Sequence, residues 1–302
     1  MVPPGEPRSY YGEPVIAEPV WSPEIGWYFF VGGLTGASAP LALTASLRGN
    51  HVLARRAAAT SVAGVGVSSV LLIKDLGRPA RFFNMLRVFK VTSPMSVGSW
   101  VLSLFGATTT LGATHELLGV LPRAGRAGQV GAAPLGPLLS TYTATLIATT
   151  AVPVWAEARR ELPFVFAAGS LATAGALACV LTPAADAGAA RRMTVVGAAA
   201  ELLAVEAMSR RLGWLGEPLH EGRPGTMSRA AKALTAAGGV AVAAGGRRRG
   251  VAVCAGADAV LVGGLLERFA IFRAGTASAR DPKYTVRPQR ERADARSAST
   301  AR

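Results

Sequence analysis

With 302 residues, 50% of them hydrophobic and only 17% charged, and a mean hydropathy of +0.34, the chain is too apolar for an ordinary soluble domain. An all-α integral membrane protein is expected. The net charge of +14 is read as membrane topology and contact with anionic lipid, because no basic module with interleaved aromatics accompanies it; nucleic acid is excluded as a partner.

The first 24 residues hold Pro3, Pro4, Pro7, Pro14, Pro19 and Pro23 with four glutamates and one arginine. This segment lacks the basic start and small-residue cleavage site of a signal peptide and is expected to be retained. Eight apolar runs follow, each a candidate span: Ile25–Leu47, Ala57–Ile73, Met95–Gly119, Leu135–Ala156, Leu162–Thr182, Met193–Leu212, Ala230–Gly245 and Gly250–Ile271. A bilayer core takes about 20 helical residues. The seventh run is Ala/Gly-rich and, at about 24 Å of helix, a little short. Gly32, Gly33 and Gly36 form a small-residue surface suited to close helix packing.

Between the second and third runs lies Lys74–Trp100, KDLGRPARFFNMLRVFKVTSPMSVGSW. It combines Lys74, Asp75, Arg78, Arg81, Arg87 and Lys90 with Asn84, Phe82, Phe83 and Phe89, a mixture suited to docking a partner at the membrane surface. Asp75 and Arg78 meet if one helical turn continues past the second span, and Pro79 then ends or redirects it. Arg81, Asn84 and Arg87 recur at the spacing of one side of a short surface helix. Pro94 restarts the chain into the third span, with Ser96 and Ser99 near its mouth.

Tyr142 falls about seven residues into the fourth run, roughly 10 Å deep, where a phenol needs a partner: a backbone carbonyl in one reading, a quinone carbonyl or a relayed proton in the other. Glu201 and Glu206 in the sixth run lie about 140° apart around a helix, so at least one faces the bundle. Asp258 sits in the eighth run, and Glu267 and Arg268 are placed near its end, where long side chains reach water. Intramembrane carboxylates read either as proton carriers or as structural hydrogen-bonding groups. Trp21, Trp27, Trp100, Trp155 and Trp214 all fall toward the face of the termini and are read mostly as interfacial anchors. That face and its loops collect 21 Lys/Arg against 10 in the loops opposite, with Arg268 completing the 32. The termini are therefore expected to be cytoplasmic, in a multi-pass plasma-membrane protein.

Cys179 and Cys254 stand alone, and His51, His115 and His220 offer no membrane pair. The expectation is a chain with no haem or iron–sulfur cluster of its own and no metal site.

Several segments together resemble the polysulfide reductase membrane-subunit (NrfD/PsrC) family: WSPEIGWYFFVGGLTGAS (Trp21–Ser38), DLGRPARFFNMLRVFK (Asp75–Lys90), TSPMSVGSW (Thr92–Trp100), YTATLIATTAVPVW (Tyr142–Trp155) and DPKYT (Asp281–Thr285). The resemblance implies two four-helix bundles, residues 25–156 with the docking loop 74–94 and residues 162–271, flanked by an extramembrane segment 1–24 and a basic tail 272–302. It also implies a quinone site (menaquinone or ubiquinone) in the first bundle. A ferredoxin-like iron–sulfur subunit would dock nearby, with a molybdopterin-type catalytic subunit, carrying molybdenum or tungsten, beyond it. By position, Trp27, Tyr28, Ser96 and Tyr142 are pocket candidates, with Glu24 at the entrance. Asp75, Arg78, Arg81 and Asn84 are docking candidates, and Glu201, Glu206 and Asp258 proton carriers. The first span has no histidine to donate to a headgroup, unlike some relatives. A structural anchor without quinone chemistry and a secondary transporter are the alternatives from other classes.

Overall fold

The computed structural model describes residues 14–19, 21–78, 80–245 and 250–300, with side chains as far as 291. Pro3, Pro4, Pro7 and the turn at Pro79 lie outside the described residues. Among the described residues there is no strand. The helices are α1 (Glu24–Leu47), α2 (His51–Asp75), the short α3 (Ala80–Met85), α4 (Pro94–Leu118), α5 (Pro122–Ala148), the short α6 (Pro153–Glu157), α7 (Leu162–Leu181), α8 (Gly188–Leu212), α9 (Gly222–Ala244), α10 (Val251–Arg280) and α11 (Lys283–Thr300).

Local chemistry sets the breaks. The Asn50 side chain caps α2 by accepting from the Leu53 N–H. Ser93 does the same for α4 through Ser96 N–H, with Pro94 in the first turn, where its missing donor costs nothing. Gly119, at φ +72°, closes α4 in the left-handed conformation that a side chain disfavours. The fourth long helix departs from expectation: it begins at Pro122 rather than Leu135 and ends at Ala148 rather than Ala156. Its RAGRAGQ opening looks too polar to be a span, yet Gly125 and Gly128 press it against α4 so closely that a Cβ on either would overlap His115 or the backbone at Thr108 and Gly112.

Among the described residues, only α1, α2 and α7 are long and apolar enough to cross a membrane by length and composition alone. The other long helices replace bulk with glycine and alanine, which lowers hydropathy but lets backbones approach. A Cβ at Gly36 would run into the Gly136 carbonyl, and one at Gly136 into that of Gly36, so α1 and α5 cross backbone to backbone. Gly238 meets Gly256 between α9 and α10, and Gly197 meets Ala172 between α8 and α7, in the same way. The small-residue surface read from Gly32, Gly33 and Gly36 thus serves packing.

Helix α1 is the hub, touching α2, α5, α7 and α10; α2 packs on α4 and α4 on α5, while α7 packs on α8 and α10, and α9 on α10. One apolar cluster joins both halves through Phe29, Trp155, Phe166, Ile271 and Phe272. Trp155 is here a core residue and not an interfacial anchor: it is fully buried, donates Nε1–H to the Ile271 carbonyl at 2.8 Å and stacks on Trp21 at 5.5 Å. Trp100 packs edge-on to Phe89, which leaves Trp27, 45% exposed, as the open tryptophan of the set.

The start of α11 clasps the loop before α9. Tyr284 stacks on Trp214 with planes 16° apart, the Arg287 guanidinium lies 4.3 Å over the same indole, and Glu217 receives Lys283 at 2.7 Å and the Tyr284 hydroxyl at 2.8 Å. The Lys283 hydrogen bond, then that of Tyr284, holds the Glu217 carboxyl below its ordinary 4.5. A depressed acid contributes its full stabilisation above its unfolded value and loses it as pH falls through the folded one. Lys283 is held up by the same contact, Glu217 first, and loses its contribution only on the alkaline side. Limited proteolysis of the tail is therefore expected to be slow near neutrality and to accelerate below about pH 4; a rate flat across that range would show that the clasp does not hold the tail.

Candidate functional site

At the end of the helices where α1 begins and α2 ends, α1, α2, α4 and α5 line a small cavity of about 30 Å³. The Trp21–Phe29 stretch supplies one wall, Leu72, Asp75 and Leu76 of α2 a second, and Met95 and Ser99 of α4 with Tyr142 and Leu146 of α5 the rest. Met85 of α3 reaches into it from the surface loop.

Two phenols meet inside. Tyr28, 1% exposed, and Tyr142 are hydrogen-bonded through their hydroxyls, with rings at 70°. Tyr142 fits because position 98 carries no side chain: a Cβ there would overlap its ring. Each phenol has one proton to donate. A pair of them spends one on itself and keeps one for a third group, so the couple is a ready donor to a carbonyl oxygen in a mostly apolar, aromatic-walled space that Asp75 and Ser99 also line.

The mouth is tied by charge. Asp75 accepts from Ser22 N–H at 3.1 Å and Ser22 Oγ–H at 2.7 Å, which pins the segment before α1 across the end of α2. The expected meeting of Asp75 with Arg78 gives way to this pairing, because α2 stops at Asp75 and Gly77, at φ +69°, turns the chain away. Beside it Lys74 reaches Glu24 at 2.5 Å, a cation in the last turn of one helix and an anion in the first turn of another, each at the helix end its charge favours.

The other nominated residues divide. Tyr28, Tyr142 and Asp75 line the cavity, while Glu24 is not part of the lining and pairs with Lys74, next to Asp75 in the chain. Trp27 is on the outside of α1, edge-on to Phe269. Ser96 braces the 74–94 loop, accepting from Lys90 N–H at 3.1 Å and donating to the Val88 carbonyl at 3.1 Å; Ser99, one turn on, faces the cavity in its place. Trp21 and Phe29 also line the cavity, on the side of α1 that the helical spacing Trp21, Ile25, Tyr28 marks, and Met95 joins them from α4 without a signal in the sequence.

Outside the cavity, Arg78, Arg81 and Asn84 are exposed, with Arg81 anchored by a bond to the Leu76 carbonyl at 3.0 Å. The expected surface helix forms but is brief: α3 ends at Met85, so Arg87 lies beyond it. Phe83, Val88, Phe89 and Val91 are each more than half exposed on the same loop.

The three proposed proton carriers separate entirely. Asp258 is on the exposed side of α10, and Glu206 is exposed and paired with Arg210 at 2.8 Å. Glu201 is buried at 3%, 3.6 Å from Arg268. Glu267 and Arg268, expected to reach water, are buried at 3% and 2%, because α10 runs on to Arg280 and so leaves them well inside the helix rather than at its end. Among the described residues no group of three or more His, Cys, Asp or Glu could hold a metal ion.

A family model described as polysulphide reductase, NrfD, matches residues 14–211. No curated protein matches the chain. The matched stretch contains every residue around the cavity and the whole of the 74–94 loop, and ends before Glu267 and Arg268. The chain belongs to the NrfD polysulphide reductase family, whose members are membrane-embedded, quinone-interacting subunits of oxidoreductase complexes.

Proposed function

We propose that this chain anchors an iron–sulfur subunit to the membrane and exchanges electrons between that subunit and the quinone pool, as part of a complex with a molybdenum- or tungsten-dependent catalytic subunit. The observation that carries the reading is the cavity beside the Tyr28–Tyr142 pair, one wall of which, Met85, belongs to the same short helix as the exposed Arg81 and Asn84. Docking surface and pocket are thus two sides of one loop. In this reading the eight long helices all cross the membrane, as two groups of four covering residues 25–156 and 162–271, and the excess of Lys/Arg at the terminus end puts the partner on the cytoplasmic side.

The residues fit a quinone headgroup: flat aromatic and methionine walls, a paired phenol donor, and a carboxylate at the mouth. A bound quinone supplies two-electron, two-proton chemistry. The chain's own part is to orient the headgroup along Tyr28 and Tyr142, to donate a hydrogen bond where negative charge develops, and to keep bulk water out with the Ser22–Asp75 and Glu24–Lys74 ties. Glu24 and Asp75 are the groups at the mouth able to pass protons to and from solvent.

The docking half of the reading is tested by changing Arg78 and Arg81 together to alanine. The expected result is loss of the iron–sulfur subunit from the complex in mild detergent, with the membrane chain still inserted and monodisperse. Full retention of the partner would remove the loop from the interface.

A further inference from the structure

The interior of the α7–α10 half holds an ionic cluster that the quinone pocket does not use. Glu201 of α8 and Glu267 and Arg268 of α10 are all at least nine-tenths buried. Arg268 Nη1 is 3.6 Å from Glu201 Oε1; its Nη2 donates to the Phe166 carbonyl at 3.0 Å, and its guanidinium lies 4.3 Å over the Phe166 ring. Glu267 Oε2 accepts from Ser228 of α9 at 3.3 Å. Three polar atoms, Glu201 Oε1, Glu267 Oε1 and Arg268 Nη1, have no hydrogen-bond partner among the described residues. Gly169 of α7 makes the room that these side chains fill: a Cβ there would overlap both Glu201 and Arg268.

The surroundings supply little further charge. Helix α7 offers Gly169 and the carbonyls of Val165 and Phe166. Helix α9 offers Ser228 and half-buried Lys232, which makes no ion pair within 4 Å among the described residues. On α8 the next carboxylate, Glu206, turns outward to Arg210. Helix α1 contributes Phe30, near Gly264.

A buried structural ion pair needs one carboxylate, one guanidinium and satisfied hydrogen bonds. Here a second carboxyl is added and three polar atoms are left open, in a region where an uncompensated charge is expensive. The charge balance closes with one proton on the two carboxyls. We infer that Glu201, Glu267 and Arg268 form an intramembrane proton-holding site: a carboxylate takes a proton to become the acid, Arg268 stays paired with the other, and the proton returns to water toward Ser228 and Lys232. Arg268 makes the site unsuited to a metal cation and suited to a proton. The site stands apart from the quinone cavity, and its test requires neither quinone nor electron flow.

Infrared spectra of the purified complex read it directly. The wild type is expected to show the C=O stretch of a protonated carboxylic acid at neutral pH, shifted in D2O. Because either carboxyl alone would balance Arg268 without a proton, Glu201→Gln and Glu267→Gln should each remove that same band, while the complexes stay assembled. A wild type without the band, or a band that survives in either variant, overturns the proposal.

Discussion

Changing Tyr142 to phenylalanine is expected to lower quinone-dependent turnover about ten- to a hundredfold, the size of one hydrogen bond to a developing charge at 1.5 to 3 kcal/mol, with the complex assembled and the KM for quinone little changed. The ring keeps its place, because the notch at Gly98 accepts Phe as it does Tyr. What goes is one of the two protons that the Tyr28–Tyr142 couple shares. Tyr28 then has no phenolic partner in a buried position, and the donor that strengthens as charge develops is missing when it is needed. Tyr28→Phe should have an effect of similar size. Gly98→Ala tests the same geometry from the other side: its methyl would displace the Tyr142 ring, and quinone binding as well as turnover should fall. Wild-type turnover in an assembled Tyr142→Phe complex would take the hydroxyl out of the mechanism.

Arg268→Leu is expected to cost about 3 to 5 kcal/mol of stability, the usual penalty for stranding a buried charge. The loss has three parts: the attraction to Glu201, the bond to the Phe166 carbonyl and the stacking on the Phe166 ring. Glu201 and Glu267 would be left facing one another without a cation. A double change, Glu201→Gln with Arg268→Leu, should recover much of the loss, since replacing a buried pair by neutral groups is often close to neutral. Unfolding of the detergent-solubilised protein with increasing SDS measures both. A single variant within about 1 kcal/mol of wild type would mean that Arg268 is not held in the interior.

Much of this architecture is legible in the residues, and the failures have physical causes. Apolar runs locate the long helices because a lipid-facing helix must satisfy its backbone internally and cover itself with apolar side chains. The method slips where packing rather than hydropathy makes the helix, as at Pro122–Pro134 in α5, whose glycines fit α4. Facing is harder to read than position. Glu206 and Asp258 look as buried as Glu201 in the linear order, but only Glu201 turns to the neighbouring helices. Glu267 and Arg268 look close to water when the apolar run ends at Ile271; the extension of α10 to Arg280 moves them well inside the helix. Ser96 and Ser99 differ by one turn, and which of them reaches the cavity depends on how α4 rotates against α5. The pocket's central pair, Tyr28 and Tyr142, stands 114 positions apart, a pairing that only the resemblance to the family brought forward from sequence.

The central claim is that quinone meets this chain at the two tyrosines and electrons pass from there to a docked iron–sulfur subunit. The most direct test is to isolate the complex through a tag on this chain, reduce its iron–sulfur clusters chemically, add a short-chain quinone and follow the clusters by electron paramagnetic resonance. The account predicts rapid reoxidation in the wild type and a marked slowing with Tyr142→Phe. Clusters that stay reduced in an intact wild-type complex, or that reoxidise equally fast in the variant, would contradict it.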